Sequence, residues 1–334
     1  MQMLTQEQLE TIDRVGLIVL ILSFTSSVLV LLIVLVSRLL KLRGSQRLSY
    51  RLQLWISLAD ILFCIAYSFP IFISNDNIGH TNSIMEIRFF QLANANIPIF
   101  CQLWYMLLIF FIILTLHFTL FLKNSRYVYL FNELNIVITT FLISLLFILP
   151  SFIICWVNNK YTVLDFFPIG ISKFLILWLQ LNLVLFIIST YCTIMVVKIS
   201  ILLLNYKKAL DAIYLQNTSQ SLIESYIDVK ANQVINKNLC EIVLRVIFYA
   251  IIPITTQFIF VVISSYYTLS KERNSFGLRI VYDSLNFLNG LLNSLFFLCF
   301  DPALPSIFKE FITIYIRKES YENLQSCYSD KINI

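Results

Sequence analysis

The chain has 334 residues, of which 59% are hydrophobic and 13% charged, whereas a soluble domain carries about a quarter charged residues. Six glycines and seven prolines are too few turn formers for the two soluble domains this length could fill, so water is excluded as solvent for most of the surface and a bilayer fits. Lys and Arg total 24 against 19 for Asp and Glu, a net charge of +5; the excess matters through its place in the loops, and no nucleic-acid partner is expected.

Residues 1–14 are polar (Glu7, Glu10, Asp13, Arg14) and precede an apolar run longer than a signal-peptide core, so the first helix is expected to target the chain itself, with 1–14 as an extracellular tail. A helix needs about 20 apolar residues to cross a hydrocarbon core of ~30 Å, and only internally bonded helices or closed barrels satisfy the backbone there. Seven runs meet the test, at about 15–40, 50–73, 97–122, 135–157, 174–204, 242–268 and 278–300. The expected fold is therefore all-α, a seven-transmembrane helix bundle over 15–304. The connections are short except for 205–241, a polar and partly helical stretch.

Positive charge is retained on the cytoplasmic side of membrane proteins. With the N-terminus outside, that side collects 17 of the 24 basic residues, among them Arg38, Lys41, Arg43, Arg47 and Arg51 between the first two spans. Seven spans then place the C-terminus inside. The sequon Asn217-Thr218-Ser219 falls in the loop this assigns to the cytoplasm and is read as unused.

Asp60 falls in the middle of span 2, where a carboxylate costs roughly 2.5–3.5 kcal/mol on insertion scales unless it faces a polar or wet interior. It is expected to face the bundle, with Ser57, Cys64 and Tyr67 extending the same face at helical spacing. Span 7 offers a matching stripe, Asp283, Asn286, Gly290 and Asn293, with Asn289 beside it. Asp60, Asn289 and Asn293 form a candidate polar switch, or else a static hydrogen-bond network around a protonated Asp60. Cys101 and Cys155, near the outer ends of spans 3 and 4, are a candidate disulfide or two buried thiols. Cys64, Cys192, Cys240 and Cys299 lack metal-ligand spacing, and Cys327 in the tail is a candidate for palmitoylation.

Pro150 and Pro253 each remove a helical hydrogen bond from their span, and Pro253, followed by Thr255, Thr256 and Gln257, is a candidate hinge. Gln102, Tyr105, Gln180, Asn182 and Gln257 lie in the outer halves of their spans. With Asp283, which could instead pair with Arg279, they supply the candidate ligand pocket of Gln102, Tyr105, Gln180, Gln257 and Asp283. His117 reads as an interior histidine rather than a ligand or relay. After span 7, Ile307, Phe308, Phe311, Ile312 and Tyr315 recur at helical spacing, predicting a short amphipathic helix at the membrane surface ahead of a tail ending at 334. No phosphate loop, HExxH site, GxSxG elbow or paired His/Cys cluster occurs, so neither enzyme chemistry nor a cofactor or metal is expected. Duplicated broken helices of the transporter kind are also lacking.

Taken together, seven spans, an outside N-terminus, a large third cytoplasmic loop, an intramembrane Asp in span 2 and the helix after span 7 resemble a G-protein-coupled receptor. Ser57-Leu58-Ala59-Asp60 is similar to the span 2 segment of such receptors, and Cys101 stands 25 residues before Arg126 as their span 3 cysteine stands before the Asp-Arg-Tyr arginine. That motif reads Ser125-Arg126-Tyr127 here. Span 6 has Ala250-Ile251-Ile252-Pro253 in place of Cys-Trp-x-Pro, and span 7 ends in Asp301-Pro302-Ala303-Leu304 in place of Asn-Pro-x-x-Tyr. Arg245 to Pro253 is closer to the span 6 Arg-x-x-x-Tyr-Pro-x-x-Pro string of fungal receptors of the cAMP-receptor and glucose-sensing groups, as is the Gly290-x-x-Asn293 segment to their span 7. The resemblance implies a plasma-membrane receptor for a small ligand, a heterotrimeric G protein as partner contacted through Arg126, Tyr127 and Arg245, and membrane lipid around it. The alternatives are a seven-span transporter or channel using the Asp60 face, and a structural or trafficking membrane protein without a ligand.

Overall fold

The computed structural model of the chain describes residues 5–73, 84–121, 132–158, 175, 182–217, 251, 253–269, 276–301 and 303–315. Among them there is no strand. The helices are α1 (Gln6–Leu39), α2 (Leu48–Ile73), α3 (Ile84–Phe121), α4 (Glu133–Val157), α5 (Leu183–Asn217), α6 (Ile259–Leu269) and α7 (Phe276–Phe300), followed by α8 (Leu304–Tyr315). A short 3-10 turn, Arg43–Gln46, joins α1 to α2, and a wide π turn, Pro253–Phe258, leads into α6.

Local chemistry accounts for the ends. Thr5 and Gln8 form a reciprocal capping box, and Glu7 in the first turn and Arg38 in the last oppose the helix dipole of α1. The helix therefore starts at Gln6, inside the stretch expected to be a tail. It stops where Lys41 takes a left-handed φ of 52°, which lets the Leu42 amide bond the Ser37 carbonyl. Two further elements are longer than their apolar runs: α3 begins at Ile84 rather than near 97, and α5 continues to Asn217, well past 204.

Among the described residues, four helices are long and apolar enough to cross a membrane: Glu10–Leu39, Tyr50–Ser68, Asn96–Thr115 and Glu133–Val157. Shorter apolar stretches lie at Leu183–Ile199 and Thr255–Tyr266, and Phe287–Phe300 meets α8 at a bend of 65°. Large aliphatic side chains such as Ile18, Ile21 and Leu32 of α1 and Ile138, Leu146 and Ile153 of α4 point outward from the bundle. In water this belt would be uncompensated; in lipid it is the expected surface of a multi-pass membrane protein.

Inside the bundle, α1 runs between α7 and α2, α2 packs on α3, α3 on α4 and α5, and the π turn on α5. The largest apolar cluster centres on Leu103, Met106, Leu108, Ile109 and Ile113 of α3, every one of them buried. A second joins Val30 and Val34 of α1 and Tyr50 of α2 to Phe297 of α7 and to Leu304 and Ile307 of α8. One apolar side of α8 is thus docked while Phe308, Phe311, Ile312 and Tyr315 stay exposed. Asp301 starts α8, its Oδ1 accepting from the Ala303 amide at 2.8 Å.

Candidate functional site

Asp60 is 5% exposed and lies where α1, α2 and α7 meet. The approach is possible because α7 carries Gly290 at the contact: a Cβ there would collide with Ser23 Oγ of α1 and come within 3.2 Å of the Asp60 Cβ and Cγ. Asn293, one turn along α7, faces the Asp60 carboxyl. Asn289 and Ser57 are buried on the same facing surfaces, and Ser27 of α1 meets Ser294 of α7 at 3.4 Å between hydroxyl oxygens. Of the stripe expected on α7, Gly290 and Asn293 meet Asp60, and α1 adds a second polar edge, Ser23 and Ser27. Their spacing of four residues within an apolar run was the signal for it.

This core is polar but under-bonded. Asp60 Oδ2, Ser57 Oγ, Asn289 Oδ1 and both amide atoms of Asn293 are buried without a well-formed hydrogen bond among the described residues, the Asn293 amide lying beside the Asp60 carboxyl rather than in good bonding geometry with it. Each unmet group costs about 1–3 kcal/mol, so the arrangement is one that a proton, water or an altered helix packing can change at modest cost. The side chains of Asp283 and Asn286 lie outside the described residues.

Of the expected ligand pocket, two members are joined directly. Gln102 Nε2 of α3 donates to Gln257 Oε1 in the π turn at 2.9 Å, and both side chains are buried. Tyr105 is buried one turn further along α3, while Gln180 and the Asp283 side chain fall outside the described residues. Asn182, at the start of α5, donates from Nδ2 to Ser264 Oγ of α6 at 2.9 Å. The expected hinge Pro253 opens the π turn itself, the distortion that removing a helical hydrogen bond calls for.

The candidate disulfide between Cys101 and Cys155 is not formed. Both are buried thiols. Because α3 starts at Ile84, Cys101 is not at a helix end but about 25 Å along its helix at 1.5 Å per residue, packed with Cys64 and Phe287 beside the Asp60 core. Cys101 nevertheless lies near the start of the apolar stretch Asn96–Thr115, because the helix begins well before that stretch does. Arg126, Tyr127 and Arg245, the expected coupling residues, lie outside the described residues, as do Cys240 and Cys327. His117 Nδ1 is 2.7 Å from the Tyr191 hydroxyl, a contact between α3 and α5 that fits an interior histidine.

One junction was not anticipated. Glu133, the first residue of α4, accepts from Arg38 Nη1 of α1 at 2.9 Å and from the Trp55 indole N–H of α2 at 2.9 Å, with Arg51 Nη1 at 3.5 Å. Counting Arg38 and Arg51 only as markers of the cytoplasmic side hid their partner. The clue was an acidic residue directly after Asn132, in the first turn of an otherwise apolar helix, where the helix dipole favours it.

In comparisons with known proteins, no protein-family model and no curated protein matches the chain.

Proposed function

We propose that this chain is a seven-span plasma-membrane receptor, N-terminus outside, that binds a small ligand in the outer half of the bundle and signals to a heterotrimeric G protein. The observation that carries the reading is the hydrogen bond from Gln102 to Gln257. It ties α3 to a π turn, an element already released from regular α-helical bonding, in a bundle whose buried polar core has unmet hydrogen-bonding capacity. A ligand that binds one packing of α6 better than the other shifts the equilibrium between them, and only by that difference in affinity. The basic inner loops, with Arg126 and Arg245, would meet the G protein and anionic lipid.

The unpartnered atoms of Asp60, Ser57, Asn289 and Asn293 favour a second reading, in which the same face lines a permeation path. Asp60→Asn separates the two at matched surface expression. For a receptor, basal nucleotide exchange on the G protein is expected to change by about fivefold or more, with whole-cell Na⁺, K⁺ and H⁺ currents unaltered. Currents present in the wild type and lost in the variant, with no effect on exchange, would overturn the receptor reading in favour of transport.

A further inference from the structure

The chemistry of the outer layer points to a class of ligand, an inference that rests on the pocket named above. The Gln102–Gln257 bond uses one half of each amide; Gln257 Nε2 is left buried with no partner among the described residues, and Asn182, bonded through Nδ2, keeps its Oδ1 unmatched. Within one turn of Gln257 the Phe260 ring stacks on Tyr282 of α7 at a centroid distance of 4.9 Å. No charged side chain is buried on the described parts of α3, α5, the π turn, α6 or α7, the side chain of Asp283 lying outside them. The nearby buried carboxylate, Asp60, stands on the Cys101 side of α3, enclosed by Ser23 and Gly290 and facing Asn293.

We infer that this layer takes an uncharged ligand bearing an amide or hydroxyl group on a flat apolar body, and that the ligand binds by replacing the Gln102–Gln257 hydrogen bond with its own bonds to the two amides. A spare buried N–H donor asks for an acceptor, and the carboxamide oxygen held by Gln102 can be released only to another donor without leaving it unmet. One neutral group that both donates and accepts satisfies the pair, and the half-buried Tyr282 ring, stacked on Phe260, offers an aromatic surface for the apolar body. A charged ligand finds no buried counter-charge among the described side chains of this layer, and an unpaired buried charge is far more costly than an unpaired dipole.

Three probes of nearly one shape test this: benzamide, benzoate and benzylamine, each titrated into the purified full-length chain in neutral detergent while thermal unfolding is followed. Benzamide is expected to raise Tm by roughly 2 °C near saturation, and the two ions to give no shift. Gln257→Glu, almost unchanged in shape, is expected to lose the benzamide shift and gain one with benzylamine; Gln102→Glu gives the same reversal should the first variant fail to fold. No benzamide shift at any concentration, or shifts of equal size from the ions, would overturn the inference. The G-protein measurement is independent of it: a benzamide shift without coupling leaves the site and removes the receptor, whereas coupling without the shift does the opposite.

Discussion

Gly290 shows how little room separates α7 from α1 and α2. A methyl group there has nowhere to go, since Ser23 and Asp60 both belong to packed helices and the nearest Asp60 atoms are backbone-proximal. Gly290→Ala is expected to cost about 1–3 kcal/mol, the usual range for overpacking a core, read as a lower Tm in detergent. An unchanged Tm would mean that α7 does not approach Asp60 this closely. At Glu133 the argument runs on charge. The carboxylate is 12% exposed and its two arginines about one third exposed, so solvent screening discounts the ion pairs and the hydrogen bonds dominate. Glu133→Gln should cost about 1–2 kcal/mol, and in Arg38→Met most of that cost should vanish; additive losses would show that the pair is not coupled. These two sites also mark what could be read from residues alone. Asp60 and Asn293 stood out because a polar group in a membrane helix must find a partner. Glu133 and the Ser23–Ser27 edge did not, because a charge at a helix end and a serine in an apolar run are inexpensive enough to pass without one.

At the scale of elements, hydrophobic run length located the helices well and their ends less well. The starts of α2, α4 and α7 fall within two residues of the apolar boundaries at 50, 135 and 278, since those runs are bounded by charged or polar residues. At α1, α3 and α5 helix and apolar run part company: Thr5 and Gln8 cap α1 well outside its apolar run, the segment before Asn96 is helical though Glu86, Arg88, Gln91 and Asn94 interrupt its apolar residues, and α5 carries its helix to Asn217. Apolarity reports where lipid is, and helicity continues wherever backbone bonding and capping allow. The end of α1 carries a prediction of its own. Lys41 is exposed and is the one non-glycine residue with positive φ among those described, a conformation that a Cβ disfavours. Lys41→Gly should therefore stabilise the α1 terminus by about 0.5–1 kcal/mol, measured as a higher Tm, and a lower Tm would show that the lysine side chain contributes more than its backbone costs.

For the whole molecule, four helices among the described residues are long and apolar enough to span a membrane, and their outward-facing aliphatic belt against buried polar faces is what a multi-pass membrane protein requires. The steps from there to seven spans, to orientation and to a receptor rest on the basic loops, on the Pro253 turn tied to α3, and on the local strings around Asp60, Arg126 and Gly290. The proposed receptor role has one consequence that no static packing role has: a G protein would sit against the inner face. The most direct measurement is ligand-independent proximity between the full chain, carrying a luminescent donor at its C-terminus, and tagged heterotrimeric G proteins in living cells, for the wild type and Arg126→Ala. The account predicts proximity above that of a non-receptor membrane protein at equal surface expression, and a clear reduction in the variant. Absence of proximity to every G protein tested, with surface expression confirmed, would contradict it.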